Sequence, residues 1–83
     1  MAGAQPDKRE IKMKYCGFVP KTLQDFAERH KDVIGEVSEE GKDGYWIYFN
    51  PGWIDKESGL HQIHEYTIAK VISRFLKFVE KEI

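Results

Sequence analysis

Apolar and polar residues alternate through the stretch REIKMKYCG, with Ile11, Met13 and Tyr15 on one side and Lys12, Lys14 and Cys16 on the other. A period of two predicts a β-strand with one buried face. Gly17 and Pro20 close it off. The period then changes. In KTLQDFAERHK, the residues Leu23, Phe26, Ala27 and His30 recur at i, i+3, i+4 and i+7, which is one face of a helix. Pro20 just ahead and Thr22 as a cap suit its start.

DVIGEVSEEGKDGYWIYFN reads as a β-hairpin. Val33 to Glu39 is the first strand and Tyr45 to Phe49 the second, with Gly41, Asp43 and Gly44 supplying the turn. Asn50, Pro51 and Gly52 end the second strand, and a loop carries Trp53 and Ile54. From His61 or Gln62 to Lys81 the spacing predicts one unbroken helix, on the order of 30 Å long. Ile68, Ile72, Phe75, Val79 and Ile83 form its apolar stripe, flanked by Val71 and Phe78 on one side and by Ala69 and Leu76 on the other. An arc of that width fits a helix wedged between a sheet and a second helix, and it would also serve a dimer interface.

The predicted order is therefore β-α-β-β-α. It closes as a two-layer α+β sandwich, a three-stranded sheet with two helices on one face. If the first strand and its helix re-enter the sheet parallel, the crossover is expected to be right-handed. Eighty-three residues hold one core, expected over residues 10–83, with residues 1–9 as a disordered N-terminal tail. That tail has no apolar stretch of the secretory kind. No apolar run nears the roughly 20 residues of a membrane span. The single cysteine, Cys16, rules out an intrachain disulfide and a Cys-rich zinc site. It favours a reducing, cytoplasmic setting.

Two helices on one sheet face leave the other face open. In DGYWIYFNPGW, Tyr45, Ile47 and Phe49 point one way along the strand, and Trp46 and Tyr48 the other. Open faces of antiparallel sheets are usually polar, so a Trp and a Tyr there need an explanation. Either they pack beneath the Trp53 loop and the tail, or Trp46, Tyr48 and Trp53 are anchors for a protein partner.

The net charge of -1 argues against a generally basic nucleic-acid binder. Charge is nevertheless uneven. Lys70, Arg74, Lys77 and Lys81 fall at spacings of 4, 3 and 4 on the back of the long helix. This is either a solvated face or a stripe for nucleic acid or an acidic partner. Lys8, Arg9, Lys12 and Lys14 make the N-terminal segment basic as well, whereas acids gather from Asp25 to Asp43.

HQIHE is the best candidate for chemistry. On the predicted helix, His61, His64 and Glu65 would continue the buried stripe, with Ile63 and Tyr66 outward. Polar residues inward and apolar ones outward are a local inconsistency of the kind that marks functional sites. The His spacing of i, i+3 matches neither common helical zinc motif. A third ligand would have to be Glu65, Cys16 or His30. The alternative is a structural role for both histidines. Cys16 is expected to be buried and inert. G-x-S-x-G, Walker A and G-x-G-x-x-G strings are all absent, as is the Gly-aromatic-basic string of RNA-recognition sheets. The chain is accordingly expected to be a non-enzymatic interaction module with no cofactor. Its expected partner is a protein. Weak nucleic-acid binding by the basic helix face is the alternative, and a His-based ligand or metal site the third reading. No membrane association is expected, and the chain should be a monomer or weak homodimer.

Overall fold

The computed structural model describes residues 13–55 and 58–82. Two helices lie over one face of a four-stranded mixed sheet. The elements run β1 (Lys14–Cys16), α1 (Lys21–Arg29), β2 (Ile34–Glu39), a 3-10 turn (Gly41–Asp43), β3 (Tyr45–Phe49), β4 (Gln62–Glu65) and α2 (Ile68–Glu82). The strands stand in sequence order across the sheet. β1 pairs with β2 in parallel, and the other two pairings are antiparallel. The N-terminal tail expected over residues 1–9 lies outside the described residues, as does Ile83.

The expected three-stranded sheet is thus corrected to four strands, and the order to β-α-β-β-β-α. The added strand is QIHE. Its apolar content is low, so its spacing alone merges it with the helix that follows. The pairing Ile47↔Ile63 decides otherwise: Ile63 is 1% exposed and sits in the core, with Gln62 and His64 on the far face. Within four residues, period two places one apolar side chain inward, which a helix starting here would have turned outward.

The core side of the sheet carries Tyr15, Val37, Ile47 and Ile63 in one cross-strand row, with Ile34 and Phe49 in another. Ile34 and Val37 are three apart and would face opposite sides in a regular strand. A register shift between Ile34 and Glu36 brings both inward. Gly35 sits inside that shift, and a Cβ there would meet Asn50 Oδ1 at 2.5 Å. Asn50 is needed in that place. Its side chain donates to the Lys31 carbonyl and its N–H to Val33, tying β3's end to β2's start.

α1 buries Leu23, Phe26 and Ala27, as its spacing predicts. It starts one residue ahead of the expected cap: Pro20 is the N-cap, with no side-chain cap bond, and Gln24 reaches back to the Val19 carbonyl. α2 buries Val71, Phe75 and Phe78, with Ile72 and Val79 half-covered and Ala69 and Leu76 exposed. Its contact face is rotated by roughly 60° from the expected stripe, toward the cationic row. The two layers meet in an aromatic cluster. Phe75 lies edge-on to Phe26 at 5.5 Å, and Phe78 stacks on Phe49 at 4.6 Å. His30, at the end of α1, fills the gap between Phe26 and Phe75, with ring centroids 4.7 and 5.1 Å away.

Candidate functional site

The sheet face away from the helices is built as two cross-strand rows. Lys14, Glu36, Tyr48 and Gln62 form one, and Cys16, Ser38, Trp46 and His64 the other. Period two in four aligned strands suffices to place these eight side chains on one surface. Trp46 and Tyr48 are half-buried there. Their rings are near-parallel, 12° apart in plane and 6.1 Å between centroids. His64 lies against Trp46 at 4.4 Å, and Tyr66 meets the His64 ring edge-on at 4.7 Å. Four rings therefore run as a continuous diagonal series, Tyr48, Trp46, His64, Tyr66. Tyr66 is its outermost member, at 67% exposure.

The 3-10 turn closes one side of this series. His64 Nε2 donates to the carbonyl of Asp43, a contact that requires a proton on Nε2 because a carbonyl oxygen can only accept. Glu40, Asp43, Trp46, Tyr48, His64 and Tyr66 together line an open concavity of about 490 Å³.

Two carboxylates of this face are held by donors from the sheet itself. Cys16 Sγ donates to Glu36 Oε2 at 3.2 Å, and Ser38 Oγ to Glu40 Oε2 at 2.6 Å. Ser38 is nearly enclosed, at 3% exposure, so Glu40 is also the partner that makes its burial tolerable. The resulting negative field is felt by the neighbours. The Tyr48 phenol is raised above its ordinary value by burial first, then by Glu36 and Glu40. The Cys16 thiol is raised chiefly by its bond to Glu36, with Lys14 opposing. A thiol held in its protonated form is a poor nucleophile.

The other expected site residues fall elsewhere. Trp53 is separate from Trp46 and Tyr48: it packs on the core side, edge-on to Phe78 at 6.2 Å. His61, His64 and Glu65 stand at and within β4 and not at the start of a helix. His61 Nδ1 approaches the Trp53 carbonyl at 3.3 Å. His64 faces the open side, and Glu65 turns to the helix side beside Arg74. Alternation along a strand separates the pair that a helix would have gathered. Among the described residues, no group of three His, Cys, Asp or Glu side chains could hold one metal ion.

Lys70 and Lys77 are exposed on α2, and with Glu65, Ser73 and Arg74 they line an open depression of about 350 Å³. Arg74 differs from its neighbours in the row. Nη1 lies 3.2 Å from Glu65 Oε2 and 3.3 Å from the His64 carbonyl, and Nη2 lies 3.5 Å from Asp55 Oδ2. Asp55 is itself buried. Arg74 thus fastens α2 to β4 and to the β3–β4 loop. Lys81 closes the row at the end of α2 and, with Asp55, lines a smaller recess beside Phe78.

Sequence reasoning missed Tyr66, Glu36, Glu40 and Asp43 as members of the aromatic face. The signal for Tyr66 was the alternation of Gln62, His64 and Tyr66, visible once QIHEY is read with period two. Among the described residues, no helix is long and apolar enough to cross a membrane. Compared with protein-family models, with curated proteins and with solved structures, the chain finds no match in any of the three.

Proposed function

We propose that this protein is a non-enzymatic interaction module, and that its open sheet face docks another protein. One observation carries the reading: the half-buried rings of Trp46 and Tyr48, extended by the exposed Tyr66, form one surface on the side of the sheet opposite both helices. Trp and Tyr are the side chains most enriched among interface hot spots, because they combine large apolar area with a polar tip and little entropy to lose. Trp53 leaves the anchor set, since it packs beside Phe78 on the core side.

Nucleic acid fits this surface less well. Base stacking would need cations beside the rings to meet the phosphates, and the charged residues next to these rings are Glu36, Glu40 and Asp43, with Lys14 one strand further along the row. The exposed lysines Lys70 and Lys77 stand on α2, in the other layer. Stacking and phosphate contact are thus divided between two sides of the molecule.

The test is a pair of variants. Trp46→Ala with Tyr48→Ala should abolish retention of a protein partner, with the far-UV spectrum and the cooperative melt preserved. Lys70→Glu with Lys77→Glu should leave retention intact. The reading fails if the aromatic pair unfolds the chain, which would make those rings core. It also fails if only the lysine pair matters.

A further inference from the structure

The charge around the open face has a sign, and it differs from the charge on the helix side in one respect. On the helix side, Glu65 and Asp55 are met by the guanidinium of Arg74. On the open face, no ion pair among the described residues meets Glu36, Glu40 or Asp43. Lys14 stands opposite Glu36 across the β1–β2 ladder, and Lys42 lies in the 3-10 turn. Glu36 and Glu40 instead accept from a thiol and a hydroxyl. Those donors hold the carboxylates in place and leave their charge uncompensated.

Aromatic ring faces are the negative pole of a quadrupole, so rings and carboxylates here act in the same direction on an incoming charge. An acidic or phosphorylated segment would be repelled by both. A purely apolar one would bury Glu40 and Asp43 without a counter-charge, which is costly. A cation is favoured by the ring faces of Trp46, Tyr48 and Tyr66 and by the carboxylates of Glu40 and Asp43, which line the concavity together.

Resting on the reading of this face as a docking surface, we propose that its occupant is a lysine- or arginine-bearing segment of a partner protein. A cationic side chain enters the concavity among Trp46, Tyr48 and Tyr66, and its head lies toward Glu40 and Asp43. Its alkyl stem or guanidinium plane covers the indole, a contact for which Trp is the strongest ring and Arg the more frequent cation. The volume of about 490 Å³ leaves room for the side chain and the adjoining backbone.

The test uses the full chain and three short Gly/Ser peptides, carrying paired arginines, paired lysines or paired glutamates. The readout is the two-dimensional amide and indole NMR spectrum. The basic peptides should shift the Trp46 indole N–H and the amides around Asp43, His64 and Tyr66 saturably, and the glutamate peptide should not. Glu40→Gln with Asp43→Asn, changes that preserve shape and hydrogen-bond acceptors, should weaken the basic peptides at least about tenfold. Raising salt should weaken them as well. The proposal is overturned if the glutamate peptide binds equally, if the neutralised variant binds as well as the parent, or if no peptide produces saturable shifts. It is also overturned if sedimentation shows a second copy of the chain occupying the face. The two readings separate cleanly. A partner lost on Trp46→Ala with Tyr48→Ala but kept on Glu40→Gln with Asp43→Asn leaves a docking face whose occupant is not cationic. A partner indifferent to both pairs removes the docking face itself.

Discussion

Trp46 and His64 face each other across the β3–β4 ladder, ring centroids 4.4 Å apart and planes tilted by 36°. His64 also holds the Asp43 carbonyl through Nε2. One side chain therefore supports the indole from the side and fixes the turn that carries the acidic rim. Its two roles are separable. His64→Phe keeps a ring against Trp46 and loses the hydrogen bond, whereas His64→Ala loses both. A ring pair contributes about 0.5–1.5 kcal/mol beyond its buried area, and a hydrogen bond of this kind about 0.5–1.5 kcal/mol. Urea unfolding should show His64→Ala costing about twice as much as His64→Phe. Equal costs would mean that the ring contact contributes nothing.

Gly44 makes the turn possible in a way that Gly41 does not. Both have positive φ, but Gly44 lies at φ 92° and ψ -145°, a region essentially confined to glycine. A Cβ at Gly44 would also meet the Glu65 carbonyl oxygen at 2.5 Å and Tyr66 Cα at 2.8 Å, whereas at Gly41 it meets nothing within 4 Å. Gly41→Ala should cost about 1–2 kcal/mol, the ordinary left-handed penalty. Gly44→Ala should cost roughly 3 kcal/mol or more, because strain and a backbone clash add. Thermal melts of the two variants rank them directly. If Gly41→Ala proves the worse, the close approach of the turn to β4 is not as described.

The sequence announces its layers better than its edges. The long runs with an unambiguous period, α1 and the β2–β3 hairpin, fall where their patterns put them. β4 did not, because four residues carry a single apolar side chain, and the helix beginning at Ile68 follows almost at once. The warning was present in HQIHE. Polar residues inward and Ile63 outward was the sign of a wrong period, and the strand reading reverses that inconsistency. The open aromatic face was legible from Trp46 and Tyr48 alone, since alternation within β3 assigns them to one side. That the hairpin is acidic was legible too, but not that its acids stand beside these rings. That placement depends on the register that sets Glu36 beside Tyr48 and Ser38 beside Trp46, and register is a property of the paired strands, not of either one. The same limit applies to Arg74, whose two carboxylates come from Asp55 and Glu65, distant in the chain.

Arg74 should behave unlike the lysines it shares a row with. Its side chain is 37% exposed, but Asp55 is close to enclosed. Arg74→Met preserves most of the stem packing while removing the guanidinium from that carboxylate and from Glu65. The expected loss is about 1.5–3 kcal/mol, the range for hydrogen bonds to a charged group. Lys70→Met and Lys77→Met, on exposed positions, should stay within about 0.5 kcal/mol of the parent. Denaturant midpoints of the three variants make the comparison. A uniform small effect across all three would reduce Arg74 to one more surface cation.

Tyr15 gives the fold an alkaline limit with a predictable shape. Its hydroxyl donates to Glu28 Oε2 at 2.8 Å, with the Gln24 carbonyl oxygen 3.3 Å from the same hydroxyl, joining β1 to α1. Burial first, then that bond and the charges of Glu28 and Asp25, push the phenol up to about 12 from 10.0. The folded state therefore holds this proton more tightly than the unfolded chain does. The stabilisation is complete below about pH 10, and it drains away as pH rises through about 12, because the folded pKa is the raised one. Tyr15→Phe removes the titrating group together with its hydrogen bond. At neutral pH the variant should be less stable than the parent by about 0.5–1 kcal/mol. Across the alkaline window the difference between the two should shrink and then reverse sign, since burial penalises an ionised phenol that the variant lacks. Unfolding midpoints measured at intervals from neutral pH to about pH 12 trace that difference. A gap that stays constant through the window would place the alkaline loss on other groups and leave the Tyr15–Glu28 bond without the role assigned to it.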